Sequence, residues 1–301
     1  MKDKFGREIR SLRISVTQKC NLKCFYCHKE GRKENTNRSM LPEEIGKIVK
    51  TSLDFGVKKI KISGGEPLLR KDITEILKNI RDKRIKDTSM TTNGILLEEY
   101  AEKLKDNGLD RVNVSLDTLN NELYKKITKY GDVEKVKRGI EKAIDVGLTP
   151  LKINYLAMDI NIDHLKDIME YCREIGAILQ IIEFIPTNKN LNKHHVDITP
   201  IENKIKEKAD KIITRKFMQN RKKYVLDGLE IEFVRPMDNT EFCSHCTRIR
   251  LTHDGFLKPC LLRDDNLVDV LTPLRKGEDI RRCFVECINR REPYFKGKDA
   301  K

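Results

Sequence analysis

Ser11-Leu12-Arg13-Ile14-Ser15-Val16-Thr17-Gln18-Lys19-Cys20-Asn21-Leu22-Lys23-Cys24-Phe25-Tyr26-Cys27 changes character halfway along. Its first half belongs to an alternating run, residues 9–16, that predicts a strand with Leu12, Ile14 and Val16 on one face and Arg13 and Ser15 on the other. Its second half carries three thiols in eight residues, spaced C-x3-C-x2-C. Thiolates this close can hold one compact soft-metal centre without help from distant parts of the chain. Iron–sulfur clusters are usually held by four cysteines, so three would leave one iron free for another ligand. A zinc loop stays open as the alternative.

Outward from this stretch the chain alternates. Residues 42–55 open with Pro42-Glu43-Glu44, a helix start, and place Ile45, Ile48, Val49 and Leu53 on one stripe. Strands are predicted at 57–63, 88–92, 111–116, 151–158 and 178–185, and helices at 73–80, 98–106, 121–128, 133–146 and 162–175. Such alternation indicates parallel βαβ units. Residues 1–186 thus predict an α/β fold, a partial (β/α) TIM-type barrel of about six parallel strands. After Pro186 the rhythm breaks. Asn188-Lys189-Asn190 and His194-His195 read as a linker or lid, 199–209 as a helix, 212–234 as short antiparallel strands, and 278–289 as a last helix. Residues 187–301 are therefore expected to form a smaller C-terminal α+β domain.

The chain has 301 residues, 61 of them basic and 47 acidic, for a formal charge of +14. That favours a polyanionic partner, either nucleic acid or a phosphate-bearing small molecule. Lysines such as Lys204, Lys206, Lys208 and Lys211 nevertheless read as solvated helix surface. Aromatic residues make up only 6%, which argues against a stacking platform for nucleic acid. No apolar run reaches the roughly eighteen residues of a membrane span. Nine cysteines in clusters, and a first segment without a signal-peptide core, fit metal binding in a reducing, cytoplasmic setting better than a disulfide framework.

In a barrel the loops after the strands gather at one end and carry the site. Besides the cysteine loop these are Gly64-Gly65-Glu66-Pro67, Thr91-Thr92-Asn93-Gly94 and Ser115-Leu116-Asp117. The double glycine exposes backbone and admits a ligand closely. Cys20, Cys24 and Cys27, with an aromatic before the last cysteine and Gly64-Gly65-Glu66-Pro67 downstream, resemble the radical S-adenosylmethionine superfamily. The resemblance implies that adenosylmethionine fills the open corner of a [4Fe-4S] cluster through its amino and carboxylate groups. It also implies that one electron passed to the sulfonium yields a 5′-deoxyadenosyl radical. By the same resemblance Tyr26, Gly64 and Gly65 line the adenosylmethionine site, and Ser115 reaches its ribose or carboxylate end.

Cys243, Cys246 and Cys260 form a second set, C-x2-C-x13-C. A zinc knuckle completed by His245 or His253 is the alternative, since structural zinc normally takes four ligands. On a strand, Arg248 and Arg250 share one face while Ile249 and Leu251 pack on the other. The arginine pair reads either as exposed surface or as a guanidinium clamp for phosphates. This segment, together with residues 11–17, closely resembles the GTP 3′,8-cyclase family of molybdenum cofactor biosynthesis, and the match runs in order over nearly the whole chain. It implies a second [4Fe-4S] cluster whose open iron takes the guanine base. Arg13, Arg248 and Arg250 would hold the triphosphate, with Lys61, Thr91, Lys152 and Ile249 also at the nucleotide. The implied lyase reaction abstracts hydrogen from C3′ and joins that carbon to C8, giving (8S)-3′,8-cyclo-7,8-dihydroguanosine 5′-triphosphate. No residue is assigned as acid or base. Implied partners are GTP, a low-potential electron donor and, transiently, cyclic pyranopterin monophosphate synthase. A homodimer is a further candidate, and neither membrane nor nucleic acid is expected.

The chain departs from the family at its tail. Members end in two glycines that reach the site, whereas this sequence ends Phe295-Lys296-Gly297-Lys298-Asp299-Ala300-Lys301. That keeps open a related two-cluster radical enzyme acting on another substrate. From a different class, a nucleic-acid-binding protein with two zinc loops is the other alternative. Cys172, Cys283 and Cys287 fall in step with apolar neighbours and read as core. His194 and His195 read as solvated, and Glu183 reads either as facing the mouth or as half of an ion pair.

Overall fold

The computed structural model describes residues 1–31, 37–186, 188–235 and 240–294. Six strands, β1 (Ser11–Ser15), β2 (Lys59–Ser63), β3 (Asp87–Thr92), β4 (Arg111–Ser115), β5 (Lys152–Ala157) and β6 (Ile178–Glu183), lie side by side in chain order, all parallel. Helices return the chain between them: α1 (Pro42–Asp54), α2 (Ile73–Asn79), α3 (Leu97–Asp106), the pair α4 (Asn121–Thr128) and α5 (Val133–Asp145), and α6 (Leu165–Glu174). The helix expected at 162–175 begins as a tighter 3-10 turn, Ile162–His164.

Local chemistry explains these boundaries. Pro42 presets the first turn of α1, and the Glu44 carboxylate accepts from the Leu41 amide (2.8 Å). Asn120 caps α4 at the Leu123 amide (2.9 Å), and Asp132 caps α5 at the Glu134 amide (3.0 Å). The alternating Leu12 and Ile14 of β1 and Ile60 and Ile62 of β2 are fully buried against Ile45, Ile48 and Ile76 of the helices. Each such side chain contributes about 1.5–3 kcal/mol. Cys172, Cys283 and Cys287 belong to this core.

Residues beyond Pro186 add α7 (Thr199–Lys208), β7 (Lys211–Arg215), β8 (Arg221–Leu226), β9 (Leu229–Val234), α8 (Thr240–Ser244), β10 (Arg248–Leu251), β11 (Phe256–Lys258), β12 (Val268–Asp269), α9 (Leu271–Arg275) and α10 (Arg281–Asn289). β7, β8 and β9 are antiparallel to one another, as expected. They do not stand apart, however: β9 lies parallel beside β6, and β10 lies parallel beside β1. All twelve strands form one sheet in the order β12-β11-β10-β1-β2-β3-β4-β5-β6-β9-β8-β7. The six parallel strands of residues 1–186 are as expected, and β9 and β10 extend the parallel run to eight. The physical reason is that β1 and β6 would otherwise present unpaired backbone edges, and the later strands cover both. The C-terminal tail expected to depart from the family lies outside the described residues. Among the described residues no helix is long and apolar enough to cross a membrane.

Candidate active site

The cysteine loop leaves β1 and docks on the loop that follows β2. The Val16 amide donates to Ser63 O (2.9 Å), Gly65 N to Thr17 O (2.7 Å), and Glu66 N to Lys19 O (2.8 Å). This closeness needs the two glycines. A Cβ on Gly64 would stand 2.4 Å from Thr17 O, and one on Gly65 would stand 2.2 Å from Lys19 O. The double glycine thus admits the cysteine loop itself. Gly65→Ala is expected to displace that loop and, if the first cysteine set holds a cluster, to lose most of its iron. Iron per chain after anaerobic reconstitution checks this; full iron content in the variant would show that the loop can yield.

Cys20, Cys24 and Cys27 carry free thiols. The Leu22 amide donates to Cys20 Sγ (3.4 Å), and Asn93 Nδ2 faces the same sulfur at 3.9 Å while donating to Asn21 Oδ1 (2.8 Å). Burial, with Asp117 and the other two thiols adding to it, pushes Cys24 up to about 12. Burial also raises Cys20. Thiolates here therefore await positive charge, which a metal centre supplies on binding. The donor set and the amides turned toward its sulfur fit an iron–sulfur cluster.

Of two buried carboxylates that sequence reasoning left unassigned, one holds this loop directly and the other holds Asn93, which faces it. Asp117, just past β4, accepts from Tyr26 Oη (2.5 Å) and from the Leu156 amide (3.0 Å). Burial raises it to about 6 against those donors. Glu66 accepts from the amides of Leu68 (3.0 Å) and Asn93 (2.7 Å) and from Thr92 Oγ1 (2.8 Å), and burial raises it to about 7. Tyr26 thus has its hydroxyl committed to Asp117, and Ser115 stands half-buried at the end of β4.

The second cysteine set is held from behind by an arginine pair that no motif announced. Arg7 Nη1 donates to Cys243 O (3.0 Å), and Arg291 Nη2 donates to Cys246 O (2.5 Å). Buried Asp3 pairs with both guanidiniums, at 2.7 and 2.9 Å. Burial works to raise Cys246, but the charges of Arg291 and Arg248 outweigh it and hold the thiol below its usual value. His245 is exposed, its Nδ1 3.0 Å from Glu241 O, and His253 is buried beside Asp254. Among the described residues no three Cys, His, Asp or Glu side chains converge closely enough for one metal ion. A cubane, by contrast, spreads its thiolates over separate irons.

Between the two cysteine sets runs a basic wall. Strand register places Arg250, Arg13 and Lys61 in one row across β10, β1 and β2, with Arg248 level with Ser11. Burial and the neighbouring guanidiniums push Arg248 down to about 9 and Arg250 to about 10. Burial, then Arg13 and other cations, pushes Lys61 well below its ordinary value. Among the described residues Arg13 Nε and Thr91 Oγ1 are buried without a hydrogen-bond partner, as in a site built for a polar ligand. Glu30 answers part of the charge, 3.5 Å from Arg13 and 3.1 Å from Arg250. Lys152 is already engaged, 2.5 Å from the buried Glu232 of β9. Ile249 is wholly buried in the apolar core.

His194 differs from expectation. Residues Lys189–His194 form a 3-10 turn whose Leu191 packs on an apolar cluster of Ile127, Met158 and Phe184. That carries the His194 ring to 4.9 Å from Phe25 and its Nδ1 to 2.7 Å from Asp159, so it is not simply solvated. His195 stays exposed, 3.4 Å from Glu183, which is the ion-pair reading of that carboxylate.

The comparisons agree on a family. The model described as Radical SAM superfamily matches residues 14–172, and that described as Molybdenum Cofactor Synthesis C matches residues 177–297. A probable GTP 3′,8-cyclase of Methanothermobacter thermautotrophicus is 51% identical over 302 residues, covering 98% of this chain and 99% of its own. One of Methanocaldococcus jannaschii is 77% identical over 298 residues, covering 99% of this chain and 100% of its own. Among solved structures, native anSMEcpe with bound AdoMet is similar in fold, with a TM-score of 0.65 at 18% identity over 94% of this chain and 81% of that one. Matched from end to end at such identity, with the superfamily's own stretch running from β1 through α6, this chain belongs to the GTP 3′,8-cyclase family of the radical S-adenosylmethionine superfamily.

Proposed function

We propose that this protein cyclises GTP, joining ribose C3′ to guanine C8 to give (8S)-3′,8-cyclo-7,8-dihydroguanosine 5′-triphosphate, the first step of molybdenum cofactor biosynthesis. The observation that carries this reading is the basic row of Arg13, Lys61 and Arg250, drawn from opposite ends of the chain and flanked by both cysteine sets. The superfamily brings one [4Fe-4S] cluster and adenosylmethionine, which when bound supply the one-electron chemistry that removes a hydrogen atom from the ribose. Cys20, Cys24 and Cys27 hold that cluster, and Tyr26, Ser115 and the backbone of Gly64 and Gly65 line the adenosylmethionine site. Cys243, Cys246 and Cys260 hold a second [4Fe-4S] cluster with one iron left for the guanine base.

Arg13, Arg248 and Arg250 grip the triphosphate, for which planar guanidinium donors are suited. Lys61 adds charge, and the Thr91 hydroxyl gains a partner. Lys152 acts through its pairing with Glu232. Fixing the nucleotide at both ends brings C3′ and C8 together, which is chiefly a matter of orientation. Residues 1–186 form the adenosylmethionine half, and residues 187–301 carry the second cluster and most of the nucleotide site. We place the protein in the cytoplasm, fed by a low-potential electron donor and handing its product to cyclic pyranopterin monophosphate synthase.

An anaerobic assay with dithionite, adenosylmethionine and each ribonucleotide in turn tests the reading. 5′-Deoxyadenosine is expected with GTP alone, and equal formation with ATP overturns the assignment. About eight irons per chain are expected for two cubanes; zinc without sulfide would favour the zinc-loop alternative. Arg248→Ala is expected to weaken GTP binding by about 1.5–3 kcal/mol and to leave iron content unchanged, as read by calorimetric titration.

A further inference from the structure

Glu30 lies three residues beyond Cys27, yet its carboxylate reaches the basic wall. One oxygen stands 3.5 Å from Arg13 Nη1, and the other accepts from Arg250 Nη1 at 3.1 Å. Its side chain keeps only 17% of its exposure. Burial works to raise this carboxyl, but Arg13 and Arg250 outweigh it and hold it at about 2. The backbone that delivers it is unusual. Lys29, Glu30 and Gly31 have φ of +50°, +51° and +68° in succession, a left-handed run that non-glycine residues disfavour. Such a turn persists only where its surroundings enforce it. Here Lys258 Nζ donates to Gly31 O and pairs with Asp264 (3.1 Å). A Cβ on Gly31 would stand 2.2 Å from Leu261 O, one residue past Cys260. The turn is therefore pinned between the two cysteine sets, and the pinning aims a carboxylate at the arginines.

We propose that Glu30 is a specificity-determining residue: a built-in counter-anion that offsets part of the charge of Arg13 and Arg250 in the nucleotide-free protein and that the substrate's phosphates must displace. The proposal rests on the reading of these arginines as the triphosphate site. Inorganic polyphosphate offers the arginines the same charge as the nucleotide but has no base to hold it nearby, so it competes poorly with a carboxylate already in place. A nucleotide anchored at its base brings its phosphates to the wall at high local concentration and wins. Guanosine, lacking phosphates, never contests Glu30.

The test uses the full chain, reconstituted anaerobically with its clusters, and calorimetric titration with inorganic tripolyphosphate, GTP and guanosine. Glu30→Gln, which keeps the size and removes the charge, is expected to tighten tripolyphosphate binding on the order of tenfold, equivalent to about 1.4 kcal/mol. GTP should also tighten, and guanosine should not change. Glu30→Ala, which removes the competitor altogether, should act in the same direction. A gain of affinity is not what a merely disturbed turn produces. Unchanged or weakened tripolyphosphate binding in both variants overturns the role of Glu30. If instead Arg13→Ala and Arg250→Ala leave GTP binding intact, the triphosphate site itself is misplaced, and the proposal falls with it.

Discussion

Cys24→Ala is expected to yield a folded protein that no longer cleaves adenosylmethionine. Cys24 is the middle thiol of the first set, and two remaining thiols cannot close a cluster that already relies on only three. The loop's backbone does not depend on the metal. It is tied to β2's loop through Gly65 and Glu66, to α4 through Lys23 N to Thr128 O (2.9 Å) and Phe25 N to Ile127 O (3.3 Å), and to Asp117 through Tyr26. Far-UV circular dichroism should therefore match the unsubstituted protein. Iron should fall by about half, since the proposed cluster of the second set would be untouched. Formation of 5′-deoxyadenosine should drop to background. Wild-type turnover in this variant would show that the three thiols are not the cluster's ligands.

Glu232→Gln carries the largest expected loss of stability. Glu232 is fully buried on β9, where its Oε1 meets Lys152 Nζ at 2.5 Å and also contacts Arg215, while Oε2 stands 3.7 Å from Arg221. Removing its charge leaves Arg215 and Arg221 facing each other without a counter-charge across β7 and β8, and deprives buried Lys152 of the partner that favours its ammonium form. Breaking a buried pair in this way costs about 3–5 kcal/mol. At about 2–4 °C per kcal/mol for chains of some 150–250 residues, the melting temperature should fall by roughly 10 °C. The two partners shift in ways that look contradictory. Burial opposes the ionised Glu232 but is outweighed by Lys152, Arg221 and Arg215, so it is held at about 2. At Lys152, burial outweighs Glu232 and pushes the ammonium down to about 7. Charge on the carboxylate is thus the part of the network that stabilises. Its contribution is complete above the ordinary value of 4.5 and disappears as pH falls toward about 2. The gap in melting temperature between wild type and variant should narrow over that window. A gap that stayed constant from pH 7 to the acid limit of folding would show that the carboxylate's charge is not what matters.

These two cases mark what could be read from sequence. Cys20, Cys24 and Cys27 are neighbours along the chain, so spacing alone declares them. The stripe of Ile45, Ile48, Val49 and Leu53 declares α1 in the same way, because a helix repeats within a short window. Glu232, Asp3, Asp117 and Glu30 have no such local signal. Each owes its role to a partner on another strand or loop, which the residues beside it in the chain do not declare. Arg13 and Arg250 were paired as proposed nucleotide ligands through family resemblance, since no periodicity could show that β1 and β10 are adjacent. His194 misled for a related reason: a polar loop looks solvated until the apolar cluster beneath it is known. The double glycine was legible as a close approach, but whether a ligand or the chain itself made that approach was not.

The placement of β10 beside β1 has a consequence for the order in which the protein is made. Arg13 leaves the ribosome among the first residues, and Arg250 follows only when most of the chain is complete. A nascent chain that has wrapped its six parallel strands still shows bare outer edges on β1 and β6, and it has no means of gripping a triphosphate. With the nucleotide site as proposed, GTP would be captured only after synthesis has delivered the second cysteine set, so an unfinished polypeptide would have no way to begin radical chemistry on a nucleotide it could not carry through.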